Sequence, residues 1–379
     1  MSMLQAVPMP KWGLSMEEGT IVEWRAKVGQ RVGVGDELVD VETSKIMNTV
    51  EAPHEGVLRR IVARVGDTLP CGNAIAVIGD EVCTESDIDL FLSKHVSAAE
   101  ETRQQSAQRP EPAFLDLADI RIRYFRVGEG GVPVVFLHGF GGDLDNWLFL
   151  QTDLAATNST IAFDLPGHGG SGKSVKDGSP RALATVILQA LHALNLRRAH
   201  IVGHSFGAAV AASLAVAEPD RVASLTAIAP AGVGPAINSQ YIQGFINAKR
   251  RSELTRIVSL LFADPSVVTS NMVEMLLRAK RLDGAEAALR TIAAANFVDD
   301  RQVLLDHKVW STIADRLLVI WGERDGIIPA AHLDLLPPNA TRVLMPGAGH
   351  MPHLERPNEV ASAVRLHITD VEQRWVRHR

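Results

Sequence analysis

A run of apolar and glycine positions is repeated in the first eighty residues at a constant spacing, and this repeat constrains the fold more than any other feature. Gly19, Ile21, Val28-Gly29, Val32, Gly35, Leu38 and Val41 recur 37 residues later as Gly56, Leu58, Val65-Gly66, Leu69, Gly72, Ile75 and Ile78. Alternating apolar residues with glycines at the turns spell short strands. Two such sets predict a small, flattened β-barrel with quasi-twofold symmetry. Lys45, in Val41-Glu42-Thr43-Ser44-Lys45-Ile46-Met47, falls at the junction of the two halves. That place predicts an exposed hairpin tip, open to a modifying enzyme.

Residues 3–79 resemble a lipoyl attachment domain, and Glu42-Thr43-Ser44-Lys45 resembles its lipoylated turn. The resemblance implies lipoate covalently bound on Lys45. Lipoyl domains usually have Asp before the lysine and Ala after it; this chain has Ser44 and Ile46. A biotin carrier places Met on both sides, and neither neighbour is Met. Taken alone, Lys45 is one solvated lysine among many; its place between the halves is what singles it out.

The chain has 379 residues, enough for a small domain and one of ordinary enzyme size. Its 46% apolar and 22% charged content describes a soluble globular protein. With a net charge of −6 and no sustained basic stretch, nucleic acid and anionic membrane are unexpected partners. No apolar run of about 18 residues exists to span a bilayer. The N-terminus shows no basic region followed by an apolar stretch, so no signal peptide is expected. Cys71 and Cys83 are not spaced as a metal site, and a reduced cytoplasmic setting is the simplest expectation.

Residues 80–113 read as a linker. Ala98–Ala113 is polar, rich in Gln and Glu, and ends in two prolines. Before it, Ser86-Asp87 is expected to cap a short helix whose Ile88, Phe91 and Leu92 pack on the preceding domain. Beyond the linker the pattern changes. Buried apolar runs at Val132–His138, Thr160–Asp164, His200–His204, Ser224–Ala229, Leu317–Gly322 and Arg342–Met345 alternate with helical stretches, notably Pro180–Leu194, Phe206–Glu218 and Pro357–Arg374. This predicts a mainly parallel sheet covered on both faces. From about 232 to 308 the alternation stops, and helix-forming sequence (Tyr241–Phe262, Val273–Lys280, Ala285–Asn296) predicts a helical lid.

The chemistry centres on Gly203-His204-Ser205-Phe206-Gly207, between a predicted strand and a predicted helix. Strand, sharp turn and helix give this short motif its meaning, because Gly-x-Ser-x-Gly also occurs by chance in loops. A serine nucleophile needs a base, and the base needs an orienting acid. His350 follows the glycine-rich Met345-Pro346-Gly347-Ala348-Gly349, with His353 its competitor beyond Pro352. Asp325 follows the strand Leu317–Gly322, with Glu323 a local rival and Asp164 a distant one that more naturally caps a turn. His138-Gly139-Phe140-Gly141-Gly142 follows another strand and can aim the Phe140 amide, together with that of Phe206, at an oxyanion. No zinc motif is present, and Gly128-Glu129-Gly130-Gly131 lacks the following helix that phosphate binding requires.

Residues 114–374 resemble an α/β-hydrolase, which implies Ser205, Asp325 and His350 as a triad. The whole chain, a lipoyl domain joined to that fold, resembles the acyltransferase component of an acetoin dehydrogenase complex. The resemblance implies transfer of an acetyl group from dihydrolipoyl-Lys45 to coenzyme A. It also implies partners: a thiamine-diphosphate-dependent dehydrogenase and a dihydrolipoamide dehydrogenase.

The trimer-forming domain of the usual acyltransferases carries His-Arg-x-x-x-Asp-Gly, and nothing here matches it; Asp306-His307-Lys308 continues with Val309 and Trp310. The linker is also short for a peripheral-subunit-binding domain. Two other readings remain at this stage. One is a true serine hydrolase carrying an independent lipoyl carrier; the other is an idle scaffold, which the complete set of Ser205, Asp325 and His350 opposes.

Overall fold

The structure, a computed structural model, describes residues 4–10, 18–43, 47–80, 83–92 and 111–377. The chain falls into two compact units, the first Met1–Arg109 with Val267–Met272 and the second Pro110–Ser266 with Val273–Arg379. Among the described residues no helix is long and apolar enough to cross a membrane.

The first unit has eight short strands: β1 (Leu4–Pro8), β2 (Glu18–Trp24), β3 (Arg31–Val32), β4 (Glu37–Glu42), β5 (Met47–Glu51), β6 (Gly56–Ile61), β7 (Thr68–Pro70) and β8 (Ala74–Gly79). They form two four-stranded sheets, β1-β8-β6-β3 and β5-β4-β2-β7. Exchanging β1 with β5, β2 with β6, β3 with β7 and β4 with β8 turns one sheet into the other, so each sheet takes strands from both sequence halves. Most of the repeated apolar positions meet between the sheets: Ile21, Leu58, Leu38, Ile75, Val41 and Ile78 are all buried in one cluster, whereas the pair Val28 and Val65 is exposed.

The symmetry extends to the turns. Gly29 donates to the Leu58 carbonyl at 2.8 Å, and Gly66, 37 residues later, donates to the Ile21 carbonyl at 2.8 Å. Both glycines sit at φ near +90°, where a side chain is strained. After β8 comes a helical stretch over 85–92. Its Ile88 is buried, and Arg60 of β6 pairs with Glu85 and Asp89, which seats the stretch on this unit. The cap lies two residues before the expected Ser86. The Thr84 amide and hydroxyl donate to Asp87, whose own amide donates back to the Thr84 hydroxyl at 3.2 Å. A Thr with an acid three residues on satisfies two end amides together, which Ser86 followed by Asp87 cannot do. Most of the expected linker, residues 93–110, lies outside the described residues.

The second unit is built on an eight-stranded sheet of β9 (Ala113–Asp116), β10 (Arg121–Val127), β11 (Val134–Leu137), β12 (Thr160–Phe163), β13 (Ala199–His204), β14 (Val222–Ile228), β17 (Leu317–Gly322) and β18 (Thr341–Met345). Their order is β18-β17-β14-β13-β11-β12-β10-β9. The six strands from β18 to β12 run parallel, while β10 and β9 join antiparallel at one edge. Every residue of β11, β12, β13, β14 and β17 is buried, as a sheet with two covered faces requires. Helices Pro180–Ala193 and Phe206–Ala217 pack together, the second against β11, β13 and β14; helices Leu148–Leu154 and Pro357–Arg377 form another packed pair over β12, β14 and β17.

Between β14 and β17 lies an insert of four helices, Ser239–Asn247, Arg251–Val258, Ser270–Lys280 and Ala285–Asn296, followed by a tiny hairpin, β15 (Phe297–Val298) and β16 (Arg301–Gln302), after which a fifth helix, His307–Ile313, leads back to β17. The helix-forming stretch Tyr241–Phe262 is divided between the first two of these helices. Glu253 accepts the Lys249 and Arg250 amides at 3.0 and 3.2 Å and so starts a new helix at Arg251.

Candidate active site

Ser205 closes β13 and opens the helix Phe206–Ala217 with φ 51° and ψ −118°, a strained conformation for any residue but glycine. The strain is imposed by close packing. A Cβ on Gly207 would come within 2.2 Å of the Leu137 carbonyl oxygen, so helix and β11 touch backbone to backbone. The sharp turn lifts the Ser205 hydroxyl out of the sheet at the helix N-terminus, where free amides and the helix dipole favour negative charge.

Asp325 lies three residues past β17, and His350 five past β18. His350 Nδ1 donates to Asp325 Oδ2 at 2.8 Å, with both side chains buried. The same carboxylate oxygen accepts from Trp321 Nε1 at 3.0 Å, and Oδ1 accepts the amides of Ile327 and Ile328 at 2.8 and 2.9 Å. Donors on every side fix the carboxylate in one orientation. It in turn fixes the imidazole with Nδ1 protonated and Nε2 as its basic nitrogen. Ser205, Asp325 and His350 therefore all follow the carboxyl ends of parallel strands, where open α/β sheets gather their sites.

The rivals are employed elsewhere. His353 is buried against Trp147, its ring 4.8 Å from the indole; neither of its nitrogens has a hydrogen-bond partner among the described residues, and burial pushes its pKa down to about 3. Glu323 accepts the Gly347 amide at 3.0 Å, at the turn leading to His350. Asp164 holds two loops, accepting the Leu144 amide at 2.7 Å and the Gly170 amide at 2.6 Å, and it pairs with Arg123 at 3.2 Å.

Phe140 sits in the glycine-rich loop after β11. That loop lies against Ser205: a Cβ on Gly139 would meet Ser205 Cβ at 3.2 Å. Among the described residues neither the Phe140 nor the Phe206 amide is bonded to a backbone carbonyl. His138 braces the loop. Its Nδ1 donates to the Gly139 carbonyl at 2.8 Å, its Nε2 accepts the Leu165 amide at 3.0 Å, and burial holds its pKa below the ordinary imidazole value.

Two supporting residues carry no motif that a sequence reading could detect. His204 Nε2 donates to the His350 carbonyl at 2.9 Å, and burial holds this imidazole far below its ordinary pKa, so it is neutral. Glu355 accepts the Gly349 amide at 2.9 Å with one oxygen and the Ala263 amide at 2.9 Å with the other. It thereby joins the turn before His350 to the insert. The only available signal was a carboxylate five residues after His350, too common to single out.

In the first unit, β4 and β5 pair antiparallel up to Glu42 opposite Met47. Ser44, Lys45 and Ile46 fall between those strands in the sequence and lie outside the described residues.

The alpha/beta hydrolase fold model matches residues 132–357, and the biotin/lipoyl model, described as biotin-requiring enzyme, matches residues 5–78. The chain is 44% identical over 363 residues to the dihydrolipoyllysine-residue acetyltransferase component of the acetoin cleaving system of Pseudomonas putida, covering 95% of this chain and 97% of that protein. It is 41% identical over 362 residues to the component of the same name from Cupriavidus necator, covering 96% of each. Among solved structures, a meta-cleavage product hydrolase from Pseudomonas fluorescens superposes with a TM-score of 0.62 at 21% identity, covering 68% of this chain and 97% of that one, a likeness of fold alone. The chain belongs to the family of dihydrolipoyllysine-residue acetyltransferase components of acetoin cleaving systems.

Proposed function

We propose that this protein moves an acetyl group from a dihydrolipoyl thioester on Lys45 to coenzyme A through an acyl-serine at Ser205. The observation that carries the reading is the 2.8 Å bond from His350 to Asp325 together with the strained turn at Ser205, in a chain 44% identical to a dihydrolipoyllysine-residue acetyltransferase component. Lipoate suits the first unit. It is attached through a lysine amide, and in the sequence Lys45 falls between Glu42, the last residue of β4, and Met47, the first of β5. When bound it supplies a dithiol able to carry an acyl group as a thioester.

Within the second unit, His350 Nε2 takes the Ser205 proton as the hydroxyl oxygen attacks the thioester carbonyl. The Phe140 and Phe206 amides receive the charge on the carbonyl oxygen. Collapse breaks the carbon–sulfur bond, and His350 returns its proton to the leaving thiolate. Coenzyme A then enters with the same groups in the same roles. His350 takes the proton of its thiol, the sulfur attacks the serine ester, and Ser205 leaves reprotonated. Asp325 holds the imidazole tautomer through both halves and stabilises the imidazolium. The insert shields the ester from water until the thiol arrives.

The partners belonging to this reading are a thiamine-diphosphate-dependent dehydrogenase that loads the arm and a dihydrolipoamide dehydrogenase that reoxidises it. A cytoplasmic setting completes it. The test is acetyl-dihydrolipoamide with and without coenzyme A. Acetyl-coenzyme A should be the main product, with a rate that saturates in coenzyme A. Free acetate formed at a rate indifferent to coenzyme A would instead make the protein a serine hydrolase.

A further inference from the structure

The insert between β14 and β17 grips the loop after β11 at Phe140. Tyr241 Oη donates to the Phe140 carbonyl at 3.1 Å, in a buried contact. Burial raises the Tyr241 phenol above its ordinary pKa, so it remains a neutral donor. Two rings of the insert meet the Phe140 ring edge-on, Phe245 at 6.2 Å and Phe297 at 5.8 Å between centroids. Phe297 also meets Phe206 edge-on at 6.3 Å. The approach continues at backbone level, since a Cβ on Gly141 would lie 2.6 Å from the Phe245 ring.

Phe140 and Phe206 are the two residues whose amides the proposed mechanism aims at the oxyanion. We infer that the insert holds that hole in shape, with Tyr241 as a positioning residue for the Phe140 amide and Phe297 as the link between the two donors. The inference rests on the acyl-serine reading.

Its physical basis is the loop itself. Gly139, Gly141 and Gly142 leave Phe140 with little intrinsic restraint on its backbone. The amide and carbonyl of Phe140 belong to adjacent peptide planes that share one Cα, so pinning the carbonyl limits the directions the amide can take. Oxyanion donors act only when placed within hydrogen-bond distance of an oxygen that carries charge in the tetrahedral species, and barely in the bound substrate. Loosening Phe140 should therefore slow turnover and leave ground-state binding unchanged.

Tyr241→Phe keeps the ring and removes only the donor. In the full chain, assayed with acetyl-dihydrolipoamide and coenzyme A, kcat should fall about tenfold or more with KM within about twofold. Affinity for a short alkyl boronic acid, which forms a tetrahedral adduct on serine, should fall in parallel, with thermal unfolding close to that of the parent protein. Phe297→Leu should show the same split and serves if Tyr241→Phe does not fold. Unchanged kcat and boronate affinity in the folded variant would overturn the inference, as would a rise in KM alone. A serine-directed phosphonate on the parent protein separates the two levels. Failure to label Ser205 sinks the acyl-serine reading itself, whereas labelling of parent and variant at equal rates sinks only the role of Tyr241.

Discussion

His204 Nε2 donates to the backbone carbonyl of His350 at 2.9 Å, so the residue just before Ser205 ties down the proposed base 146 positions away. The segments that carry Ser205 and His350 are thus tied by a neutral imidazole as well as by the sheet. His204→Phe should leave the His350 carbonyl buried without a donor and cost about 1–3 kcal/mol of stability. Its kcat should fall, and His204→Gln, which retains a donor, should recover part of the loss. Equal kcat in Phe and Gln variants would remove His204 from the positioning of His350.

Ser205→Ala and Asp325→Asn should each lower acetyl transfer by about three to four orders of magnitude. Asp325→Asn should retain the fold, since an amide oxygen can still accept from Ile327 and Ile328. Phosphonate labelling of Ser205 should slow with the loss of the acid. Full transfer by Ser205→Ala would mean that the thioester passes directly to coenzyme A.

Intact mass measurement of protein from a lipoate-competent host should show one added lipoyl group, absent from Lys45→Arg. Stability of that variant should lie within about 0.5 kcal/mol of the parent. A biotin adduct, or lipoate retained after the substitution, would move the attachment site elsewhere.

His353 gives a dependence on pH with a definite sign. Its folded pKa is pushed down to about 3, chiefly by burial and then by His350, while the unfolded chain titrates near ~6.5. A depressed pKa means the unfolded state binds the proton first. The stability it contributes is full above pH ~6.5 and is lost progressively as pH falls toward the folded value. Between pH ~6.5 and ~4 the loss from this group is about 3 kcal/mol. Urea titrations across that range should show a shallower pH dependence in His353→Phe, whose ring keeps the stack on Trp147. Parallel curves for both proteins would show that His353 is not the group responsible.

Much of the fold was legible because its signals are local. The 37-residue repeat announced β2–β4 and β6–β8, and continuous apolar runs announced the parallel strands after which Ser205, Asp325 and His350 sit. What was not legible depends on which of many possible pairings, near or remote in sequence, the folded chain makes. Nothing in the repeat reveals that its strands are exchanged between sheets, because strand periodicity specifies a face and not a neighbour. The break at Ala248–Arg250 turns on Glu253 reaching back to two amides, and Thr84 rather than Ser86 caps the helical stretch because its acid stands three places on. The bonds from Trp321 to Asp325 and from Tyr241 to Phe140 become visible only once the chain has folded.

The exchange of strands in the first unit sets the order of events during synthesis. Among the described residues β1 pairs only with β8, Leu4 standing opposite Gly79. β1 therefore waits for the last strand of the unit before it can bond. A chain released as far as Lys45 has β2 and β4 to pair but no completed sheet, and both edges of that pair stay open until β5 and β7 arrive. Only when β8 has emerged, through residue 79, can β1 pair and both four-stranded sheets stand complete.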